Sequence, residues 1–255
     1  MMSNSSLVSY TRFSPNHSGP RTHKIDRISP HCVVGQCSVE TLGAVFAPRS
    51  RGASCQYGIG SDGRIGQYVS EANRSWCTSS NANDQRAVTI ECASNTYSPF
   101  YMNDKVWKSL IKLCVDICRR NGKNKLIWFG NKTKSLNYAP KSNEMVLTVH
   151  RWFANKACPG DWLYNRLGKL ATEVTKQLGG KTPTPTPTPT PVKGSYKVRI
   201  TTKELNVRKG PGVKYAIVTA VHKNEVYTII ETRNGWGRLK SGAGWIYLTG
   251  YTKKA

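Results

Sequence analysis

The stretch MVLTVHRWFANKACPG, residues 145–160, decides how the larger part of this chain is read. Its first half is nearly continuous apolar sequence, the pattern of a strand buried on both faces, and it predicts a strand over 145–153. Its second half brings His150, Lys156 and Cys158 close together, just ahead of a helical pattern running from Asp161 to about Leu178. Such a strand leading into a helix points to an α/β class, a mixed central sheet flanked by helices. Three readings of the polar residues stay open at this point. They can be a strand-end histidine, a surface lysine and a packed cysteine. Cys158 can be a nucleophile, its thiolate favoured by a helix start and its proton taken by a histidine. Or His150 and Cys158 can be two ligands of a catalytic zinc site, which needs three protein ligands and one open position.

Working outward, VTIEC (88–92) and KLIWFG (125–130) read as strands, and SCQYGIGSDGRIGQYV (54–69) as a hairpin turning at Ser-Asp-Gly. NDKVWKSLIKLCVDICRRNG (103–122) reads as an amphipathic helix capped by Asn103, lined by Val106, Leu110, Leu113 and Ile117, and stopped by Gly122. Cys114 and Cys118 fall at i, i+4 on that helix, where they read as core. A third zinc ligand has His31, His17 and His23 as candidates, and spacing does not choose among them. Glu91 lies inside an apolar strand, where a carboxylate is costly to bury without a task or a partner. Strand alternation offers the other reading, in which Glu91 faces solvent.

The chain has 255 residues and a net charge of +24, a field that favours an anionic partner. No apolar run is long enough to span a membrane, and the first residues show neither the basic nor the apolar segment of a signal peptide. The expectation is synthesis in the cytosol, with the eight cysteines present as thiols, packed or metal-bound. KTPTPTPTPTPVKG (181–194) cannot be helical, because each proline removes a donor and pushes the preceding residue toward an extended shape. It is expected to be a semi-rigid spacer between a domain over 1–180 and one over 195–255. The latter shows short apolar runs broken by Gly, Pro, Asn and Lys, the pattern of a small all-β barrel.

ISPHCVVG (28–35), YGIGSDGRIGQYV (57–69), RSWCTSS (74–80), NDQRAVTIECA (83–93) and HRWFANKACPG (150–160) occur in an order and spacing that resembles one family. It is the zinc-dependent N-acetylmuramoyl-L-alanine amidases of the peptidoglycan-recognition-protein fold, the type found in many phage endolysins. The resemblance implies that His31, His150 and Cys158 are metal ligands, that Glu91 is the general base, and that Lys156 steadies the oxyanion. The family's hairpin tyrosine is replaced by Cys55, which leaves open whether Tyr57 takes its place. LNVRKGPG, NGWGRLK and GWIYLTGY, within residues 205–251, resemble bacterial SH3-like cell-wall-binding domains, and Tyr215 and Tyr247 are candidates for a wall-binding groove. What the resemblance implies is a modular peptidoglycan amidase with zinc as cofactor; without a signal peptide, a phage or prophage lysin is expected in preference to a secreted autolysin. Its partners would be peptidoglycan and anionic wall polymers, reached after release from the host cytoplasm. The rivals are a non-catalytic peptidoglycan-binding protein and a cysteine peptidase of the stem peptide. Nucleic-acid binding rests on charge alone, with no motif behind it.

Overall fold

The computed structural model describes residues 4–179, 195–213, 215–233 and 235–255, so the Thr-Pro run at 181–194 lies outside the described residues. The chain divides into two compact units between Pro183 and Thr184. In chain order the first unit begins with β1 (Tyr10–Thr11), β2 (His17–Pro20), β3 (Arg27–Cys32), α1 (Val39–Phe46), β4 (Tyr57–Ile59), β5 (Ile65–Gln67) and β6 (Asn73–Ser75). It continues with α2 (Asn81–Asp84), β7 (Ala87–Cys92), α3 (Asp104–Arg120), β8 (Lys125–Ile127), α4 (Lys132–Asn137), β9 (Glu144–Leu147), α5 (Gly160–Tyr164) and α6 (Leu167–Gln177). Seven strands form a mixed sheet in the order β1-β5-β4-β7-β3-β9-β8, and β2 pairs with β6 separately. The expected α/β class, a mixed sheet flanked by helices, is the one observed.

The helix α3 forms where the sequence predicts it. Asn103 Oδ1 accepts the backbone N–H groups of Lys105 and Val106, and the apolar stripe from Val106 to Ile117 is buried together with Cys114 and Cys118. Just past its end Gly122 takes a φ of +66°, a left-handed value that glycine adopts without a Cβ penalty. With α6 it buries one large cluster against the sheet, including Val88, Ile90 and Cys92 of β7 and Tyr57 and Ile59 of β4. Successive side chains of a strand point to opposite faces, so Thr89 and Glu91 project away from that cluster. On their side α1 packs Leu42 and Phe46 with Cys55 and Tyr68. Close approach there requires Gly58, because a Cβ at this position would sit 2.6 Å from Leu42 Cδ1 and 2.7 Å from Tyr68 Cε2.

Two elements depart from the expected bounds. The strand expected over 145–153 ends at Leu147, and His150–Trp152 form a 3-10 turn. That turn is tied down by Trp152, whose indole is buried and stacked on Trp128 at 5.2 Å, and by Arg151 N donating to Cys158 O. The helix expected from Asp161 to Leu178 is broken into α5 and α6. At the break the Arg166 guanidinium donates to Trp162 O, while Arg166 N turns instead to Leu163 O. The side chain has taken an acceptor that the helical ladder would otherwise use.

The second unit is all β. Its strands are β10 (Tyr196–Ile200), β11 (Glu204–Arg208), β12 (Ile217–His222), β13 (Val226–Arg233), β14 (Trp236–Leu239), β15 (Trp245–Tyr247) and β16 (Thr252–Lys254). They form one antiparallel sheet in the order β12-β11-β15-β14-β13-β10-β16. Alternate residues of β10 to β15, among them Val198, Ile200, Val207, Ile229, Leu239 and Ile246, meet in a single core. One core shared by the strands of one sheet requires the sheet to curve around it, as in a small SH3-like barrel. Among the described residues no helix is long and apolar enough to cross a membrane.

Leu110 is fully buried at the centre of the α3 stripe. Leu110→Ala is expected to destabilise the first unit by about 2–5 kcal/mol, through lost transfer free energy and the cavity left behind. Urea denaturation measures this, and a loss below about 1 kcal/mol would mean that α3 is not the main cover of the sheet.

Candidate active site

β3 and β7 run parallel with His31 directly opposite Glu91, and β4 pairs Gly58 with Glu91 on the other side. Partners in register point to the same face of a sheet. The His31 and Glu91 side chains therefore emerge together on the face away from α3. His150 arrives from the 3-10 turn after β9, and Cys158 from the loop that enters α5. Beneath them a closed polar network joins three elements. Ser29 Oγ and Thr148 Oγ1 are 2.6 Å apart, Thr148 Oγ1 donates to Asn83 Oδ1 at 3.0 Å, and Asn83 Nδ2 donates to Ser29 Oγ at 3.1 Å. Each member is fully or almost fully buried and partnered, so the network fixes β3 against the segment carrying His150.

The structure brings His31, His150 and Cys158 together, with one ligand atom from each lying within 4.8 Å of the others. Cys158 Sγ is 3.1 Å from His31 Nδ1, and the two imidazole centroids are 5.2 Å apart. His17 and His23 stay outside this group: His17 Nδ1 accepts Gly19 N at 3.0 Å within β2, and His23 is exposed. Lys156 is exposed two residues before Cys158, close enough that its charge helps to lower the pKa of His150 after desolvation has done most of the work. Beside it opens a cleft of about 560 Å³ lined by Ser98, Phe100, Arg151, Lys156, Ala157 and Asp161.

Burial sets the protonation states. His31 is fully buried, and desolvation, with the neighbouring His150 charge second, brings its pKa down to about 3. It is a neutral imidazole with a lone pair to donate. Glu91 is raised to about 7, chiefly by desolvation, with Arg51 opposing. Its Oε1 lies 3.9 Å from His31 Nδ1, and its buried Oε2 has no hydrogen-bond partner among the described residues. Strand alternation has thus turned Glu91 into the site and not to solvent. The Cys158 thiol is pushed well above its usual range by burial, then by a hydrogen bond with Cys32. A cysteine nucleophile needs a thiolate, and the nearest imidazole, His31, is a weak base at that pKa. Two imidazoles and a sulfur in mutual reach do match the donor chemistry of a borderline-soft cation, which would itself favour the ionised sulfur. These residues fit a metal ion.

The question of the hairpin tyrosine is answered by geometry. Tyr57 points into the large core, where its hydroxyl donates to Glu71 Oε1 at 2.5 Å and accepts Ser5 N at 2.9 Å; Glu71 is held in turn by Arg120. Cys55 is buried with Leu42, Phe46 and Tyr68. Neither offers a hydroxyl to the site. Two side chains that the sequence reading passed over do reach it. Ser79 Oγ is 3.1 Å from His150 Nε2, and Cys77 Sγ is 3.4 Å from His31 Nε2. Ser79 has a φ of +62°, an uncommon value for a serine, and carries no local sequence signal for its position. In the second unit Tyr215 is 38% exposed against Gly210, and Tyr247 is half-buried between Trp236 and Tyr251, with ring centroids 5.3 and 6.1 Å away.

The folded-state value of Glu91, about 7 against an ordinary 4.5, gives a signed prediction for the metal-free chain. The folded state holds a proton that the unfolded state has released, so this contribution is full below about pH 4.5 and is lost as pH rises through about 7. The stability of Glu91→Gln relative to the parent should therefore grow by on the order of 3 kcal/mol between these limits. His31, whose lowered pKa costs stability as pH falls from 6.5 toward about 3, is present in both chains and cancels. Urea denaturation across pH reads the difference, and parallel pH profiles would contradict it.

The family described as N-acetylmuramoyl-L-alanine amidase matches residues 18–161, and the bacterial SH3 domain matches residues 203–253. YrvJ of Bacillus subtilis (strain 168), described as a candidate N-acetylmuramoyl-L-alanine amidase, is 42% identical over 45 residues, which are 18% of this chain and 9% of that protein. Among solved structures, the N-acetylmuramoyl-L-alanine amidase LysC from Clostridium intestinale URNW is 16% identical, covering 68% of this chain and 99% of its own, with a TM-score of 0.45. PlyL is 18% identical, covering 65% and 95%, with a TM-score of 0.43.

Proposed function

The chain belongs to the N-acetylmuramoyl-L-alanine amidase family and carries a bacterial SH3 domain, and from this we propose that it is a zinc-dependent peptidoglycan hydrolase. The bond cut is the amide between the lactyl group of N-acetylmuramic acid and L-alanine of the stem peptide. The observation that carries the reading is the convergence of His31, His150 and Cys158 beside a largely buried carboxylate whose Oε2 has no hydrogen-bond partner among the described residues. His31, His150 and Cys158 would hold the zinc. Bound there, zinc supplies Lewis acidity that polarises an amide carbonyl and acidifies a water.

The remaining work belongs to the chain's own residues. Glu91, free of a neutralising partner and with a raised pKa, takes a proton from the attacking water and returns it to the leaving amine. Lys156, exposed at the edge of the site, presents a fixed positive charge to the carbonyl oxygen as that oxygen gathers negative charge. The cleft beside Lys156 has room for the stem peptide, and Arg151 at its wall is already tied to Asp161 at 3.0 Å. The SH3 domain retains the enzyme at its insoluble substrate, which raises the effective concentration of the cleavable bond. Tyr215 and Tyr247 are the residues proposed to meet the wall. The +24 charge favours anionic wall polymers, an attraction that weakens with salt. Synthesis in the cytoplasm of a host, and a phage or prophage origin, complete the proposal.

Digestion of purified cell walls should release new alanine amino groups and no new reducing sugars, and a chelator should stop the release. New reducing ends in place of alanine amines would overturn the amidase assignment. Glu91→Ala should still bind zinc by elemental analysis, yet turn over roughly 10²- to 10⁴-fold more slowly. A variant with near-parental turnover would remove Glu91 from the mechanism.

A further inference from the structure

His31 is engaged from two sides. Its Nδ1 faces Cys158 Sγ at 3.1 Å, and its Nε2 faces Cys77 Sγ at 3.4 Å. Cys77 is close in turn to Glu91, with Sγ 4.0 Å from Oε1. One ligand atom from each of His31, Cys77 and Glu91 lies within 4.8 Å of the others, a second donor group that shares only His31 with the first. We propose that this group is a second metal position for a zinc-like divalent cation, alternative to the one formed by His31, His150 and Cys158.

The distances suit it. A tetrahedral ion with sulfur at about 2.3 Å and imidazole nitrogen at about 2.0 Å holds the two donors about 3.5 Å apart. The 3.4 Å separation of Cys77 Sγ and His31 Nε2 already meets this. Glu91 Oε1, 4.0 Å from Cys77 Sγ and 3.9 Å from the other imidazole nitrogen, Nδ1, reaches the same ion by a side-chain rotation toward Nε2. No hydrogen bond restrains Glu91 Oε2 among the described residues. Cys77 itself is held in place. Its backbone N–H donates to Asp84 Oδ2 at 3.1 Å, and the next residue, Thr78, donates through its hydroxyl to Asp84 Oδ1 at 2.7 Å. The sulfur is therefore presented by a fixed loop, as preorganised ligands are.

The two positions exclude one another. A neutral imidazole has one lone pair, so a metal on one nitrogen leaves a hydrogen on the other. Binding at the second position replaces the Cys77 thiol proton, which passes to solvent, with no change of oxidation state. Nitrogen, sulfur and carboxylate donors together suit zinc and its borderline-soft analogues rather than magnesium or calcium. A metal so held would occupy the Glu91 carboxylate and silence it as a proton carrier. That consequence rests on the amidase reading; the metal position itself does not.

Cobalt(II), a spectroscopic stand-in for zinc, tests the position without any activity measurement. The full-length Cys158→Ser chain, which lacks the sulfur of the first group, should still give a thiolate-to-cobalt charge-transfer band with cobalt(II) under anaerobic conditions. Adding Cys77→Ser to it should abolish the band, and adding Glu91→Gln should weaken cobalt binding. Far-ultraviolet circular dichroism of the metal-free chains checks folding, and Cys158→Ala replaces Cys158→Ser if the latter does not fold. A Cys158 variant with no such band, or a double variant that keeps it, overturns the proposal. Loss of amidase activity alone moves neither result.

Discussion

The parallel pairing of β3 with β7 is the constraint from which the site follows. It sets His31 against Glu91, and β4 closes the other flank by pairing Gly58 with the same glutamate. A one-residue slip of β7 would send Glu91 to the face covered by α3, away from His31, and bring an apolar side chain of β7 to the cleft. Burial prevents that slip, because Val88, Ile90 and Cys92 are committed to the large core and cannot exchange faces without exposing it. The buried Ser29–Thr148–Asn83 triangle then holds the chain leading to His150 in a fixed relation to the same strand.

Within that frame the electrostatics run against stability. Desolvation holds His31 neutral and favours a protonated Glu91, and Cys158 keeps its proton for the same reason. The largely buried carboxylate has one oxygen without a hydrogen-bond partner among the described residues, an arrangement that a structural role would not require. Proteins tolerate such departures at functional sites and offset them elsewhere. Here the offset comes from a well-filled core, in which Leu110, Leu113, Leu126, Met145 and Leu170 are fully buried. A cation among these donors reverses the local balance, stabilising the thiolate and the carboxylate together. The presence of a second thiol, Cys77, on the far side of His31 means that donor placement and not donor scarcity decides where a metal sits.

Much of this was legible in the residues. Periodicity located α3, its cap and its stop, because an amphipathic stripe reports one buried face directly. The hairpin around residues 57–67 and the all-β character of the second unit were legible through turn residues and short apolar runs. Element ends were less so. The run from 145 to 153 is apolar throughout, yet the strand stops at Leu147, because the stacking of Trp152 on Trp128 favours a turn there. The break between α5 and α6 depends on where one arginine side chain folds back, which no local pattern encodes.

By itself the sequence determined the class of each unit, the chemistry-bearing residues His150, Lys156 and Cys158, and the anomaly of a glutamate in an apolar strand, since these are properties of residue type and local spacing. Its family resemblance supplied His31. Only the tertiary structure decided which way Glu91 points, that His31, His150 and Cys158 lie within reach of one another, that Tyr57 is spent on Glu71, and that Cys77 and Ser79 stand at the site. Those outcomes depend on strand register and on burial. Both are set by contacts between segments far apart in the chain, and desolvation acts on a side chain only once those segments have closed around it.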